Sequence, residues 1–188
     1  VTYTAGQIFP VKRICDLAHQ HGIEVVVDGA HAFGQIDFKV SELGCDYYGS
    51  SLHKWLYAPK GTGMLYMRQA HVEKIKPLYG TYSSRRPGAE KSMRKYESVG
   101  TLSQAPYLAI GEAVAFHNAI GPKRKEERLR YIKDYWADRL RRHPRINVFT
   151  PSDPEMSCCI AAVGIEGVDP SAMREYLWEE HLILTSRG

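Results

Sequence analysis

The sequence has no apolar run of about 18 residues and no basic stretch followed by an apolar one near its start, so we expect neither a membrane span nor a secretory signal peptide. Only four of its 188 residues are cysteines, and their spacing fits neither a disulfide framework nor a CxxC metal site. The formal net charge of +4 is too small to indicate a nucleic-acid partner. We therefore expect a cytoplasmic protein in a reducing compartment, with no nucleic-acid and no membrane partner.

The composition is that of a globular protein with a sizeable core. Apolar residues make up 44% of the chain and charged residues 24%, and the mean hydropathy is -0.36. At about 100 to 200 residues per domain, the length corresponds to one domain or one and a half. The chain starts with Val1 inside a strand-like run and stops at Gly188 just after an apolar run. We expect it to be a piece of a longer polypeptide.

Hydrophobic periodicity and turn residues predict the elements along the chain. Helices are predicted over 10–21, about 40–43, 69–77, 104–120, 123–142 and 170–181. Strands are predicted over 23–27, 45–48, 61–67, 146–149, 157–163 and 182–185, with a long loop over 80–98. The strand over 23–27 is β-branched and almost unbroken, which indicates burial on both faces. The helix over 104–120 is rich in small and apolar residues, which also indicates burial.

The order of these elements predicts an α/β fold with two parts. Strands and helices alternate up to about residue 80, which is typical of a mainly parallel sheet between helices. From about residue 121 the strands and helices no longer alternate in this way, and they indicate a smaller α+β unit. We therefore predict a large α/β domain over 1–120 and part of a small α+β C-terminal domain over 121–188.

Side chains that could bind a ligand or take part in a reaction follow two of the predicted strands. Asp28 and His31 follow the first predicted strand, and Ser51, His53 and Lys54 follow the second. In an open parallel sheet, ligands bind at the carboxyl ends of the strands, so a carboxylate and a lysine from neighbouring strands are expected to meet in one crevice. That pair suits pyridoxal phosphate, because the cofactor needs a lysine amine for a Schiff base and a carboxylate that keeps its pyridine nitrogen protonated.

Each of these residues also has a simpler interpretation. Asp28 alone reads as a cap or turn residue, His31 and His53 as half-buried histidines, and Lys54 as a surface lysine. Asp28, His31 and His53 as metal ligands would indicate a hydrolase, although their spacing matches no metal motif. Cys158 and Cys159 are either core residues or a sulfur-handling site. The joint occurrence of Asp28 and Lys54 favours the cofactor interpretation.

Four segments give the chain a family resemblance. They are TYTAGQIFPVKRI (2–14), VVVDGAHAFGQ (25–35), YYGSSLHKW (47–55) and PKGTGMLY (59–66). Together they resemble the class V aminotransferase family of fold-type I pyridoxal phosphate enzymes. The DGAH and HKW forms are most similar to the isopenicillin N epimerase-like branch, and cysteine desulfurases are related. The resemblance covers residues 1 to about 120 well and the tail loosely.

The resemblance implies roles for residues of this sequence. Lys54 would form the Schiff base, Asp28 would pair with the pyridine nitrogen, and His31 would contact the side of the ring that carries the hydroxyl. Ser51 and His53 would bind the phosphate. Gly100 and Thr101 match a loop that reaches the phosphate of the neighbouring subunit, which implies a homodimer. Arg187 lies near the place of the arginine that grips the substrate carboxylate.

The resemblance also implies the fold and the activity. The fold would be the large domain of a pyridoxal phosphate-dependent transferase, followed by part of the small domain. The activity would be that of a transferase or epimerase acting on an amino acid or an amino-acid-containing substrate. Two alternatives stay open: a carbon-sulfur lyase or cysteine desulfurase of the same fold, and a non-catalytic scaffold that retains the fold.

Overall fold

The computed structural model describes residues 1–79, 82–97 and 100–186. The chain divides into two compact units. The sheet unit consists of Pro10–Gly34 and Phe38–Ala119, and the terminal unit consists of Val1–Phe9, Gln35–Asp37 and Ile120–Gly188. In the described ranges, no helix is both long enough and apolar enough to span a bilayer.

Three strands form the sheet of the sheet unit, in the order β1 (Val26–Asp28), β2 (Tyr47–Ser51) and β3 (Gly63–Met67). β1 and β2 are parallel, with Asp28 opposite Gly49, whereas β2 and β3 are antiparallel, with Ser51 opposite Gly63. A parallel pair needs a long crossover, usually a helix, and the link between β2 and β3 contains none. The sheet is therefore mixed, and the parallel pairing predicted from the sequence is that of β1 with β2.

Short helices surround this sheet. They are α1 (Val11–Gln20), α2 (Gln69–Val72), α3 (Ala105–Leu108) and α4 (Ile110–Ile120), with 3-10 turns at Val40–Glu42, Ser83–Arg85, Ala89–Lys91 and Met93–Tyr96. α1 confirms the helix predicted over 10–21, and its buried Cys15 packs with Cys45 and Tyr48 in the core. A second group of buried side chains packs together, and all but Ala113 belong to the segment that follows β2: Leu52, Leu56, Ala58 and Ala113.

Four sequence predictions for this unit need correction. β1 is not buried on both faces, since Val26 is 74% exposed: Val25 and Val27 face the core, and Val26 points the other way. The strand predicted over 45–48 instead runs to Ser51, because Gly49 and both serines pair with β3. The helix predicted over 104–120 is interrupted at Ala109 and only Ala113 of it is buried. The helix predicted over 69–77 ends early, at Val72.

The terminal unit contains α5 (Pro122–Leu140), β4 (Ile146–Val148), β5 (Val163–Ile165) and α6 (Pro170–His181). β4 and β5 are antiparallel. The Asp169 carboxylate caps α6 by accepting hydrogen bonds from the amides of Ser171 and Ala172. The helices predicted over 123–142 and 170–181 are confirmed.

The two other strands predicted for the tail are wrong. Over 157–163, only Val163 belongs to a strand, because the amides of Cys159 and Ala162 donate to the side chains of Gln35 and Thr150 rather than to a strand. Over 182–185, Leu182 has a left-handed φ of 55° and its amide donates back to the Trp178 carbonyl. That geometry ends α6 and turns the backbone away from an extended path.

Candidate active site

The candidate site lies where β1 and β2 end side by side. Because the two strands are parallel, Asp28 and Ser51 lie at carboxyl ends that point the same way. Beyond β1, the Gly29 amide donates to the Gly49 carbonyl at 2.8 Å, which extends the pairing by one residue. The Asp28 carboxylate is exposed and accepts a hydrogen bond from the Ala30 amide at 2.9 Å, so it forms a turn that carries the chain to His31.

Lys54 lies on a turn that is anchored on both sides. Leu52 and Leu56 are buried in the core, and the Ala58 amide returns to the Leu52 carbonyl at 3.1 Å. Within the turn, the Tyr57 amide donates to the Lys54 carbonyl at 3.3 Å. Tyr57 has a φ of 66°, a left-handed conformation that is uncommon for a residue other than glycine and costs about 1–3 kcal/mol. These contacts hold the half-buried Lys54 side chain above the core.

The structure brings His31 and Lys54 into direct contact. The His31 Nε2 atom lies 2.9 Å from the Lys54 Nζ atom. Burial, followed by the positive charge of Lys54, lowers the pKa of His31, and the carboxylate of Asp28 opposes that shift. His31 is therefore neutral at neutral pH, and we assign its Nε2 atom as the acceptor of a hydrogen bond from the Lys54 amine.

Of the other candidate residues from the sequence, Ser51 and His53 lie close to Lys54 along the chain. Ser51 is the last residue of β2 and His53 is exposed beside Lys54, so both share the Lys54 segment. Gly100 and Thr101 are exposed. Arg187 lies outside the residues that the structure describes.

The groups at this edge match the needs of a pyridine aldehyde cofactor. A primary amine at Lys54 is the group that attaches to an aldehyde, and the exposed carboxylate of Asp28 suits a protonated ring nitrogen. The neutral imidazole of His31 adds a polar ring beside the amine. Among the described residues, no three His, Cys, Asp or Glu side chains converge to hold a metal ion, so the metal interpretation of Asp28, His31 and His53 has no geometric support.

Sequence reasoning missed three residues that shape the site: Tyr48, Ser50 and Tyr57. Tyr48 and Ser50 lie on the buried face of β2, and both hydroxyls donate to the Gly29 carbonyl. The signal for the first two was available, because alternation along a strand places residues 48 and 50 on one face. No local pattern predicted the left-handed conformation of Tyr57.

Comparisons with known proteins give one consistent result. The family model described as aminotransferase class-V matches residues 1–188. The chain is 33% identical to isopenicillin N epimerase of Streptomyces clavuligerus, over 97% of this chain and 49% of that protein. It is 32% identical to a probable cysteine desulfurase of Halalkalibacterium halodurans, over 90% of this chain and 42% of that protein.

A solved structure supports the same fold. A lysine-to-alanine variant of C-DES, with glycine covalently linked to its PLP cofactor, superposes with a TM-score of 0.82 at 23% identity. The match covers 95% of this chain and 49% of that one. The fold is thus that of the α/β enzymes predicted from the sequence, and the chain spans about half the length of the curated relatives that it matches.

Proposed function

The chain belongs to the class V aminotransferase family, and from that premise we propose that it forms the pyridoxal phosphate-binding part of an enzyme that acts on an amino acid or an amino-acid-containing substrate. The observation that carries the proposal is the 2.9 Å contact between Lys54 and His31, on a turn beside the carboxylate of Asp28. The C-DES structure, with its PLP-linked glycine, supports the choice of cofactor and of substrate class.

Three residues would hold the cofactor ring. The Nζ atom of Lys54 would attach it covalently, the carboxylate of Asp28 would hold a proton on its pyridine nitrogen, and His31 would contact the side that carries the hydroxyl. When bound, pyridoxal phosphate supplies the electron sink that makes the α-hydrogen of an amino acid acidic. An exposed carboxylate such as Asp28 can reach a ligand ring without first breaking a buried contact.

Lys54 would also carry the proton that the reaction moves. Its amine, when free, would take the proton from the α-carbon of the substrate as a general base. The neutral Nε2 atom of His31 orients that amine, because it accepts a hydrogen bond and brings no second positive charge next to it. The leucines on either side of Lys54 hold the turn, so the amine stays close to the ring.

The remaining residues are assigned from the family. Ser51 and His53 bind the phosphate, Gly100 and Thr101 reach the phosphate of the neighbouring subunit of a homodimer, and Arg187 binds the substrate carboxylate, for which a guanidinium is well suited. On the same basis we assign residues 1–120 to the large domain and residues 121–188 to the small one, although Val1–Phe9 and Gln35–Asp37 group with the terminal unit. We place the enzyme in the cytoplasm.

Among the reactions open to this site, we propose epimerisation or transamination rather than desulfuration. The epimerase relative aligns with 97% of the chain, and sulfur transfer needs an accessible thiol of low pKa. Cys15, Cys45 and Cys158 are buried and Cys159 is half-buried, and burial raises the pKa of all four. A desulfurase would need a thiol from a part of the protein outside this chain.

The proposal is tested with the full-length protein and pyridoxal phosphate in deuterated water. A panel of L-amino acids and amino-acid-containing peptides is incubated, and each is analysed for deuterium at the α-carbon, for inverted configuration, for keto acid and for released sulfide. We expect deuterium in at least one substrate, accompanied by inversion or by keto acid, and no exchange by the Lys54→Ala variant. Sulfide as the sole product would favour the desulfurase, and no exchange with any substrate would contradict the enzyme proposal.

A further inference from the structure

The carbonyl oxygen of Gly29 accepts hydrogen bonds from four donors. Two come from its own turn, the amides of Ala32 at 2.9 Å and Phe33 at 3.1 Å. The other two come from β2, the hydroxyls of Tyr48 at 3.2 Å and Ser50 at 3.3 Å. A carbonyl oxygen has two lone pairs, so the four donors must share them. The Gly29 carbonyl is therefore the point at which the turn after β1 is joined to the side chains of β2.

Both hydroxyl donors are held firmly in place. Tyr48 is 1% exposed and Ser50 is 7% exposed, and they lie on the same face of β2. Burial raises the pKa of Tyr48, so its hydroxyl keeps its proton and remains a donor. The Tyr48 ring lies so close to Gly29 that a Cβ atom there would overlap the ring and its hydroxyl. Only glycine permits this approach.

The Gly29 carbonyl joins the two segments that carry the candidate site, the turn after β1 and strand β2. The turn that begins at Gly29 carries the chain from Asp28 to His31, and β2 carries it from Tyr48 to Lys54. The ladder bond between the Gly29 amide and the Gly49 carbonyl fixes the register of the strands but does not itself orient the Gly29 carbonyl, which within its own turn is held by the amides of Ala32 and Phe33. The two hydroxyls constrain that carbonyl, and with it the start of the turn that places His31.

Resting on the function proposed above, we propose that Tyr48 and Ser50 are positioning residues, which hold the turn after β1 so that His31 meets Lys54. Neither residue touches the Lys54 amine, and both act through the Gly29 carbonyl. When the two hydroxyls are removed, the turn relaxes, His31 moves away from Lys54, and the imidazole becomes more accessible to water.

Tyr47 provides a matched control on the same strand. Its hydroxyl donates to the Glu24 carboxylate at 2.8 Å, on the other face of β2 and away from the Gly29 turn. Tyr47→Phe therefore removes the same chemical group from the neighbouring position, and the hydrogen bond that it breaks is shorter than the one from Tyr48. An effect that arises only from weakening β2 would appear in Tyr47→Phe as well as in Tyr48→Phe.

The test compares wild type, Tyr48→Phe, Ser50→Ala, the double variant and Tyr47→Phe in the full-length protein. The first measurement is the pKa of His31 from an NMR titration of cofactor-free protein. His31 is faced by the charges of Lys54 and Asp28, and both stay in every variant. The second is the rate at which pyridoxal phosphate becomes reducibly attached to Lys54. Misplacing a reacting group by about 1 Å costs up to about a hundredfold in rate.

We expect the double variant to raise the pKa of His31 towards its ordinary value of about 6.5 and to slow the attachment about tenfold. Each single variant shifts both quantities in the same direction by less, and Tyr47→Phe leaves both at the wild-type values. The proposal is overturned if the folded double variant matches wild type in both measurements, or if Tyr47→Phe shifts both as far as Tyr48→Phe does. If the double variant does not fold, the single variants decide by the same criteria.

The two measurements also separate this inference from the proposed function. The titration of His31 needs no cofactor, so it tests the positioning role even if wild type never attaches pyridoxal phosphate. In that case the proposed function fails, and the pKa of His31 alone tests the positioning inference. If wild type attaches the cofactor and the variants leave the pKa of His31 unchanged, the function stands and the positioning inference fails.

Discussion

The Nε2 atom of His31 lies 2.9 Å from the Nζ atom of Lys54, although the two residues follow different strands. Parallel pairing of β1 with β2 makes this contact possible, since it brings both carboxyl ends to one edge of the sheet. A neutral imidazole can hold a lysine amine without adding charge, and that arrangement suits the role proposed for Lys54, whose amine would bind a cofactor and move a proton.

The pKa of His31 should respond in opposite directions to its two charged neighbours. Burial and Lys54 lower it, and Asp28 raises it. Lys54→Met removes a positive charge, so the pKa of His31 should rise, while remaining below about 6.5 because the burial persists. Asp28→Asn removes a negative charge, so the pKa should fall. NMR titration of the imidazole in the cofactor-free protein measures both shifts, and shifts of equal sign would contradict the assigned geometry.

The same depressed pKa predicts a pH effect on stability. Between the folded pKa of His31 and the unfolded value of about 6.5, the unfolded chain binds more protons than the folded one. The contribution of this group is therefore present above that window and is lost as the pH falls through it. Urea unfolding of wild type and His31→Gln over this range should show a difference in pH slope. Equal slopes would mean that His31 is not buried as described.

Gly29 should not tolerate a side chain. An alanine Cβ would overlap the Tyr48 ring, so Gly29→Ala should destabilise the protein by about 1–3 kcal/mol, which is typical of overpacking. Gly49→Ala is the control, because a Cβ on Gly49 meets no atom within 4 Å. Urea unfolding measures both variants. Equal stability of the two would show that Tyr48 does not lie against Gly29.

Asp46 should be a principal stabilising residue of the sheet unit. Its carboxylate is buried and accepts hydrogen bonds from His19 at 2.7 Å, the Val25 amide at 2.8 Å and His71 at 2.9 Å. Burial alone would raise the pKa of Asp46, but these hydrogen bonds outweigh it and hold the pKa well below its usual range. Asp46→Asn should therefore cost about 3 kcal/mol at neutral pH.

The loss should depend on pH with a defined sign. A carboxylate with a depressed folded pKa contributes stability above its unfolded pKa of about 3.9, and this contribution is lost as the pH falls towards the folded pKa. The difference between wild type and Asp46→Asn should thus shrink in acid. Asp16→Asn is the control, because the ion pair of Asp16 with Lys12 is exposed, and it should cost less than about 1 kcal/mol. Equal losses from the two variants would contradict the account.

The four thiols should be unreactive in the folded protein. Burial raises the pKa of Cys158 to about 12 and also raises the pKa of the other three cysteines. Because the thiolate is the reactive form, a thiol reagent at neutral pH should label this chain slowly, and quickly once urea unfolds it. Peptide mapping assigns the label. Fast labelling of Cys158 or Cys159 in the native protein would revive a sulfur-handling role for this chain.

The sequence predicted the elements whose signals are local. α1 has clear helical periodicity, a proline in the first turn marks the start of α6, and glycines at the start of β3 marked its turn. The residues at the strand ends were also identifiable, because a carboxylate and a lysine after two predicted strands are visible in the chain itself. What was missed depends on three-dimensional packing. The exposure of Val26 follows from which layers cover β1, and the end of α6 follows from the left-handed turn at Leu182.

The candidate site shows the same division. Asp28, His31 and Lys54 were named from their order in the chain, whereas the Gly29 carbonyl with its four donors appears only when β2 is folded against the turn. A strand of alternating buried residues indicates which side chains point inward but not which carbonyl they meet.

Lys54 is proposed to bind pyridoxal phosphate, and trapping the bond between the two tests this proposal without any other substrate. The full-length protein is incubated with the cofactor, reduced with borohydride, digested and mapped by mass spectrometry, alongside Lys54→Ala and the exposed neighbour control Lys60→Ala. We expect an imine absorbance band and a pyridoxyl label on Lys54 in wild type and in Lys60→Ala, both lost in Lys54→Ala. A label on other lysines that persists in Lys54→Ala, or no label in wild type, would contradict it.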